Sequence, residues 1–377
     1  MKRSMFLIVS AGAVVACQKA APGRDASPGA EHVVTAAMLD SLPRLSVVDG
    51  RLVCLADGQS PCPVDVASAN WVHESRFATW EPRRQVQIWS PDSPNPQTLG
   101  EVGATDSQYQ SVASVAASGA GFIVLDPIGQ HAINYTGAGK FSGSRPIPPM
   151  GITNATGYAG DIPVLQVIRS PMPDSLAVFE IREIDSPGDT LGRSVLRVTL
   201  PWLRIRDNRP SGPLPLFPSL PVYSVARDSD IVWSAGDVFA VRRQSPSGVV
   251  RWTLTSNVPG PAIAEAEIDQ VRKQLAGNPD PRVKSAFDSN LAHTGKYHAA
   301  IAGLLVAGDG KVLVASPQVA TSDLVDLYVL DAKGAPAGRF VLPRRTAVLL
   351  FAGDSLLVQR PGANAQPELR WLRLSKP

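Results

Sequence analysis

Few side chains in this sequence are placed to do chemistry. Three cysteines and five histidines stand among 377 residues. The histidines, His32, His73, His131, His293 and His298, are scattered. The one close pair, in "HTGKYH", has neither a metal-binding spacing nor a carboxylate-rich stretch beside it. His131 follows a tight turn and reads as solvated. A serine nucleophile would be expected in a Gly-x-Ser-x-Gly elbow, and a phosphate cradle in a Gly-x-Gly-x-x-Gly run after a strand; neither pattern occurs. "ARDSD", Ala226 to Asp230, offers two alternating aspartates without the third ligand and the glycine of a calcium loop. Asp126, Asp185 and Asp331 each open a turn. No catalytic residue, no metal site and no cofactor is therefore expected.

The cysteines say more. Lys2 and Arg3 precede an uncharged apolar run, Met5 to Ala16, too short to cross a bilayer that needs roughly 20 apolar residues but suited to an export signal. Val14, Val15 and Ala16 before Cys17 resemble the bacterial lipobox, with valine where leucine is commoner. That resemblance implies cleavage after residue 16, a diacylglycerol on Cys17 and an acylated new N-terminus. Gln18 after the cysteine implies sorting to the outer membrane. An ordinary signal peptide cleaved near Ala16 or Ala21 is the alternative. Several acyl chains at about 0.8 kcal/mol per buried CH2 would hold the chain on a membrane. Residues 17–31 then form a lipidated cysteine and a flexible Pro/Gly-rich tether, and residues 32–377 the folded domain. In such an oxidising compartment Cys54 and Cys62, in "CLADGQSPC", can close a disulfide worth roughly 2 to 3 kcal/mol. Two free thiols are the other reading.

Charge excludes one class of partner. The formal net charge of +3 falls to +1 without Lys2 and Arg3, which argues against nucleic acid. The densest basic stretch, "WLRIRDNR" from Trp202, alternates Arg204 and Arg206 with Leu203 and Ile205 and reads as the exposed face of a strand.

The elements that carry these residues are mostly strands. Pro 34 and Gly 31 punctuate short stretches rich in Val, Ile, Leu and Trp. In "GFIVLDPIGQHAINY", Gly121 to Tyr135, two apolar strands flank a turn in which Asp bonds the backbone and Gly takes a positive φ. The unit returns as "EIDSPG" from Glu183, "RQSPSG" from Arg243 and "VLDAKG" from Val329. Turn starts at 126, 185 and 245 are almost equally spaced. Degenerate copies at 88–100 and 357–374 bring the series to six, each with about four strands.

This pattern is similar to the six-bladed β-propellers of the TolB-like and NHL-type group, common in bacterial secreted and lipid-anchored proteins. The resemblance implies an all-β, six-bladed β-propeller. The last copy offers only three strands, so part of the N-terminal stretch Arg44 to Ala56 is expected to join and close the final blade. One segment, about 261–292, breaks the rhythm. Ile268, Val271 and Leu275, then Val283, Phe287 and Leu291 after an N-cap at Asp280, predict two short helices between blades 4 and 5. They read either as a lid or partner surface or as a structural insert. Two functions follow: a lipid-anchored envelope module, facing the periplasm or the cell surface, that binds a protein, peptide or sugar; or an extracytoplasmic hydrolase or lactonase around a channel metal, as other six-bladed propellers carry.

Overall fold

The computed structural model describes residues 29–376 apart from 57–61, 64–65, 67, 73–74, 82–84, 92, 119–120, 148–152, 160–161, 170–174, 185–190, 207–208, 277–279 and 363–364. The export signal, Cys17, the tether up to residue 28, His73 and the turn at Asp185 lie outside the described residues.

The chain opens with β1 (Ala30–Val33), α1 (Ala36–Ser41) and β2 (Ser46–Leu55). A first sheet follows from β3 (Ser68–Trp71), β4 (Phe77–Trp80), β5 (Val86–Ser90) and β6 (Ser93–Leu99). The second holds β7 (Ser114–Ser118), β8 (Gly121–Asp126), β9 (His131–Tyr135) and β10 (Phe141–Pro146). The third holds β11 (Thr153–Ala159), β12 (Ile162–Arg169), β13 (Leu176–Ile184), β14 (Leu191–Arg206) and a short fifth strand, β15 (Arg209–Ser211). The fourth is built on β16 (Val222–Val225), β17 (Ile231–Ser234), β18 (Val241–Gln244) and β19 (Val250–Thr255). Then come α2 (Glu265–Ala276) and α3 (Pro281–Ala292), and a fifth sheet of β20 (Gly303–Val306), β21 (Val312–Ala315), β22 (Leu324–Leu330) and β23 (Pro336–Pro343). The sixth takes β24 (Ala347–Phe351), β25 (Ser355–Pro361) and β26 (Pro367–Ser375), with β2 as its fourth strand.

The protein is thus mostly β, in sheets with the four-strand meander of propeller blades. The first strand of each sheet neighbours the first strand of the next, from β3 through β7, β11, β16 and β20 to β24, and β24 returns to β3. Apolar alternation drives the stacking. Residues such as Phe122, Val124 and Ile133 of the second sheet lock against Ala78, Trp80 and Ile88 of the first, and similar clusters fill the gaps between sheets three and four, four and five, five and six, and six and one. Arg204 and Arg206 stand out from β14 while Leu203 and Ile205 are buried, as their alternation predicts.

The repeat reading needs a correction. The turns at Ser245 and Asp331 join third to fourth strands, and Gly248 and Gly334 take the positive φ of +86° and +87°. The turn at Asp126 instead joins the second strand to the third, so its near-equal spacing does not mark an equivalent position. An Asp-x-x-Gly sequence can close any hairpin, and strand lengths vary enough to hide the shift. In that turn the left-handed residue is Gln130, at φ 56°, and Gly129 serves another purpose: a Cβ there would fall 2.4 Å from the Asp126 carboxylate.

The N-terminus departs from expectation as well. Ala30 and Glu31 join His32 and Val33 in the fold: β1 adds to the outer edge of the fourth sheet, parallel to β19, with His32 opposite Leu254. A following turn of helix, α1, is capped by the Thr35 side chain, which accepts from the Met38 N–H.

The sixth sheet joins the two ends of the chain. β2 pairs antiparallel with β26, Val47 opposite Leu374 and Cys54 opposite Leu369. Buried Glu368 accepts from Nε of both Arg360 and Arg370 at 2.8 Å, and Arg360 Nη2 donates to Asp49 on β2 at 2.6 Å. Across the seam to the first sheet, Trp71 stacks on Trp371 with centroids 5.9 Å apart, and Phe77 meets the same ring edge-on. Cys54 and Cys62 are disulfide-bonded here and pack in the same apolar cluster. The Arg370 and Arg360 guanidiniums hold Glu368 below its usual value of 4.5 in spite of burial, and Arg360 does the same for Asp49. A carboxylate whose pKa is depressed by folding stabilises the fold above its unfolded value and loses that contribution as pH falls through its folded value. Thermal melts of wild type should therefore fall steeply as pH drops below about 4.5. Glu368→Gln, which removes the carboxylate shared by Arg360 and Arg370 and leaves Asp49 as the partner of Arg360, should lose about 1 to 3 kcal/mol at pH 7 and show a shallower acid dependence.

Candidate functional site

The strand order sorts the loops onto two faces. Turns between first and second strands share one face with those between third and fourth; the remaining turns and the links between sheets lie on the other. Contacts between neighbours agree with this. Arg227, in the first turn of sheet four, lies against Gly308 in the first turn of sheet five, whose Asp309 lies against Gly353 in the first turn of sheet six. The described chain begins on this face, because β1 runs parallel to β19 and starts beside the 245–249 turn. We call it the tether face.

The helical insert occupies the opposite face. Asp280 caps α3, accepting from the Arg282 N–H, and Pro281 is the first helical residue, both as predicted. The two apolar stripes are half-buried, with Phe287 fully covered and Arg272 over its ring at 5.8 Å. The insert is tied down by polar contacts. Asn290 Oδ1 accepts from the Leu214 N–H and Thr294 Oγ1 from the Leu216 N–H, both at 2.9 Å. Buried Glu267 accepts from His298 Nε2 at 2.9 Å, from the Ala264 N–H at 3.0 Å and from the Ala320 N–H at 2.8 Å. Burial alone would raise the Glu267 pKa; the Ala320 N–H, His298 and the Ala264 N–H together outweigh it and hold the group ionised below its usual range. Phe217 closes edge-on over His298 at 5.0 Å.

This pair answers a question the sequence left open. "HTGKYH" does have a carboxylate partner, 31 residues upstream, but Glu267 spends its lone pairs on three donors that dock a helix. His131 is likewise not solvated. Its Nε2 lies 3.1 Å from the Gln108 carbonyl and 3.5 Å from Asp126. Asp126, fully buried, accepts from the N–H groups of Gln110, Ser111, Ile128 and Gly129 and so pins its turn to the link that precedes β7. Asp228 and Asp230 of "ARDSD" pair with Arg243 and, for Asp230, Arg251. Each of these carboxylates is engaged in holding loops. Among the described residues no three His, Cys, Asp or Glu side chains converge as metal ligands.

One cavity on the tether face is differently made. It has a volume of about 480 Å³ and is walled by Arg76, Ile88, Ser90, Ser93, Asn95 and Gln97. Arg76 stands at the head of β4 and Ser90 and Ser93 flank the β5–β6 turn, so the meander of the first sheet gathers residues distant in sequence. The Arg76 guanidinium donates to Gln97 Oε1 at 2.8 Å and lies over the Phe122 ring of the second sheet at 5.0 Å. Gly139, at φ +76°, brings the second sheet's outer turn against the Gln97 amide, where a Cβ would stand 2.4 Å away. No motif in the sequence pointed to this set; its members are ordinary polar residues brought together only by strand pairing. Nearer the ring axis, Arg227 of the fourth sheet lies over Trp71 of the first at 6.0 Å.

No family model matches the chain, and no curated protein matches it. Among solved structures, a member of the duf4221 family from Bacteroides vulgatus is similar over 89% of this chain and 100% of its own, with 9% identity and a TM-score of 0.51. The likeness is one of fold. A Bacteroides fragilis protein described as exported aligns over 92% of this chain and 99% of its own, with 11% identity and a TM-score of 0.48. Regucalcin, a calcium-binding protein from Agrobacterium tumefaciens, aligns over 92% and 97%, with 10% identity and a TM-score of 0.41.

The docking role of the buried pair is directly testable. His298→Ala removes one of three donors to Glu267 and should weaken insert docking by roughly 1 to 3 kcal/mol. Limited proteolysis should then cut within 261–300 several-fold faster than in wild type, with the sheets left intact by circular dichroism.

Proposed function

We propose that this chain is a lipid-anchored, extracytoplasmic six-bladed β-propeller of the TolB-like or NHL-type build that acts as a binding module at the bacterial cell envelope. Six sheets whose first strands neighbour one another in cyclic order, the last beside the first, support the ring. The lipobox-like run before Cys17 supports the anchor, with the outer membrane as its site. The observation that carries the binding reading is the Arg76 cavity. It is concave, within the size range of ligand sites, and lined by polar groups on rigid strands at the junction of two sheets. The histidine–carboxylate pairs, by contrast, are committed to loop anchoring. A tether reaching β1 would turn this cavity toward the membrane side and present the helical insert outward.

Two measurements test the reading. In detergent phase separation of the full chain expressed in a two-membrane bacterium, wild type should enter the detergent phase and Cys17→Ser the aqueous phase. Equal partition of the two would refute the anchor. Screening the same protein on sugar and peptide arrays should return a ligand that is recovered chemically unchanged, and turnover of that ligand would replace the binding module with an enzyme.

A further inference from the structure

The Arg76 cavity holds a cation in an uncommon situation. Arginine stays charged at any physiological pH, and a half-buried guanidinium ordinarily faces a carboxylate or phosphate that matches its planar fork. Arg243, Arg360 and Arg370 follow that rule, each meeting acidic side chains. Arg76 does not. Its hydrogen bond goes to a neutral amide oxygen on Gln97, and the Phe122 ring covers one face of its plane. Among the described residues no carboxylate pairs with it. Aromatic ring and amide together hold the fork in one orientation beside a cavity of about 480 Å³. Such a group is preorganised for an anion that the protein itself does not supply.

The rest of the wall narrows the ligand. Ser90, Ser93, Asn95 and Gln97 line the wall with hydroxyl- and amide-bearing side chains, the Ser93 hydroxyl bonded to the Asn95 backbone, and Ile88 and Pro96 give a small apolar part. Uncharged donors and acceptors of this kind suit a body rich in hydroxyls. Among the described residues the lining contains a single cation, Arg76, and no second Lys or Arg. One guanidinium neutralises one carboxylate, whereas a phosphate monoester would bring a charge of about −1.5 to −2 at neutral pH and leave part of it uncompensated.

From this arrangement we infer that the Arg76 cavity of the first sheet is a binding site for a sugar acid, with its carboxylate on Arg76 and its hydroxyls against Asn95 and the serine wall. The inference deepens the binding-module reading and is independent of the lipid anchor.

Calorimetric titration of the full chain with glucuronate, glucose and glucose 1-phosphate tests it. Glucuronate should bind at least tenfold more tightly than glucose and more tightly than the phosphate ester. Its affinity should fall at least tenfold in Arg76→Gln, less in Arg76→Lys, and several-fold in Asn95→Ala, a substitution at an exposed position of β6. Melting curves for each variant establish that it is folded. Equal affinity for glucuronate and glucose, preference for the phosphate ester, or glucuronate binding unchanged in folded Arg76→Gln would each overturn the assignment. If glucuronate fails while an array-derived ligand binds wild type and Arg76→Gln alike, the sugar-acid site falls and the binding module stands. If no ligand of any class binds, both fall together.

Discussion

A series of stacked sheets leaves an exposed edge and an unfilled side at each end unless its last member packs on its first. Here that condition is met by pairing the beginning of the chain with its end. β2 supplies the backbone partners that β26 would otherwise present to solvent, a row of unpaired N–H and C=O groups that invites association with other chains. The contact is reinforced at three levels: ladder hydrogen bonds, the Asp49–Arg360–Glu368–Arg370 network, and the stack of Trp71 on Trp371. Residues 46 and 375 pair across nearly the whole described chain, so this seam closes the longest loop among the strand pairings.

The charged residues obey the same economy. In a β-rich domain, buried loops carry backbone N–H groups that no ladder reaches, and a buried carboxylate can collect several of them at once. Asp126 gathers four N–H groups from two loops; Glu267 gathers two and an imidazole. In both cases the carboxylate substitutes for secondary structure where the chain must bend. Their histidine neighbours complete that role. The pairing of His with Asp or Glu, which in isolation suggests acid–base chemistry, here follows from the need to satisfy buried polar groups.

The two faces of the molecule are consequently unequal. One carries a helical hairpin fastened by side-chain-to-backbone bonds to the links between sheets; the other carries the start of the described chain, the Arg76 cavity and the Arg227–Trp71 contact. This asymmetry arises from the extended link between β19 and β20, since the links β6–β7, β10–β11, β15–β16 and β23–β24 carry no helix among the described residues.

Much of this was legible in local pattern. Alternation at Leu203–Arg206 announced a half-buried strand, Asp280 and Pro281 announced a helix start, and the shortage of strands after residue 347 announced that residues 44–56 would complete the last sheet. These succeed because strand pleat, helix capping and edge pairing are governed by residues within a few positions of one another, or by a count of strands. The errors have an equally physical origin. The turn at Asp126 looked equivalent to that at Asp331 because the same four-residue chemistry closes any hairpin, whichever strands it joins. The first half of β1, Ala30 and Glu31, was read as tether because a four-residue strand with two charged or polar members gains its place only from the edge of β19, more than 200 residues away. The partners of His131 and His298 and the walls of the Arg76 cavity were invisible for the same reason. Sequence alone determined which segments would be strands, turns and helices, since those depend on local sterics and periodicity. Which side chains face one another across sheets, and so where a ligand could sit, was decided only by the tertiary structure, because strand pairing sets that geometry over distances the local pattern does not encode.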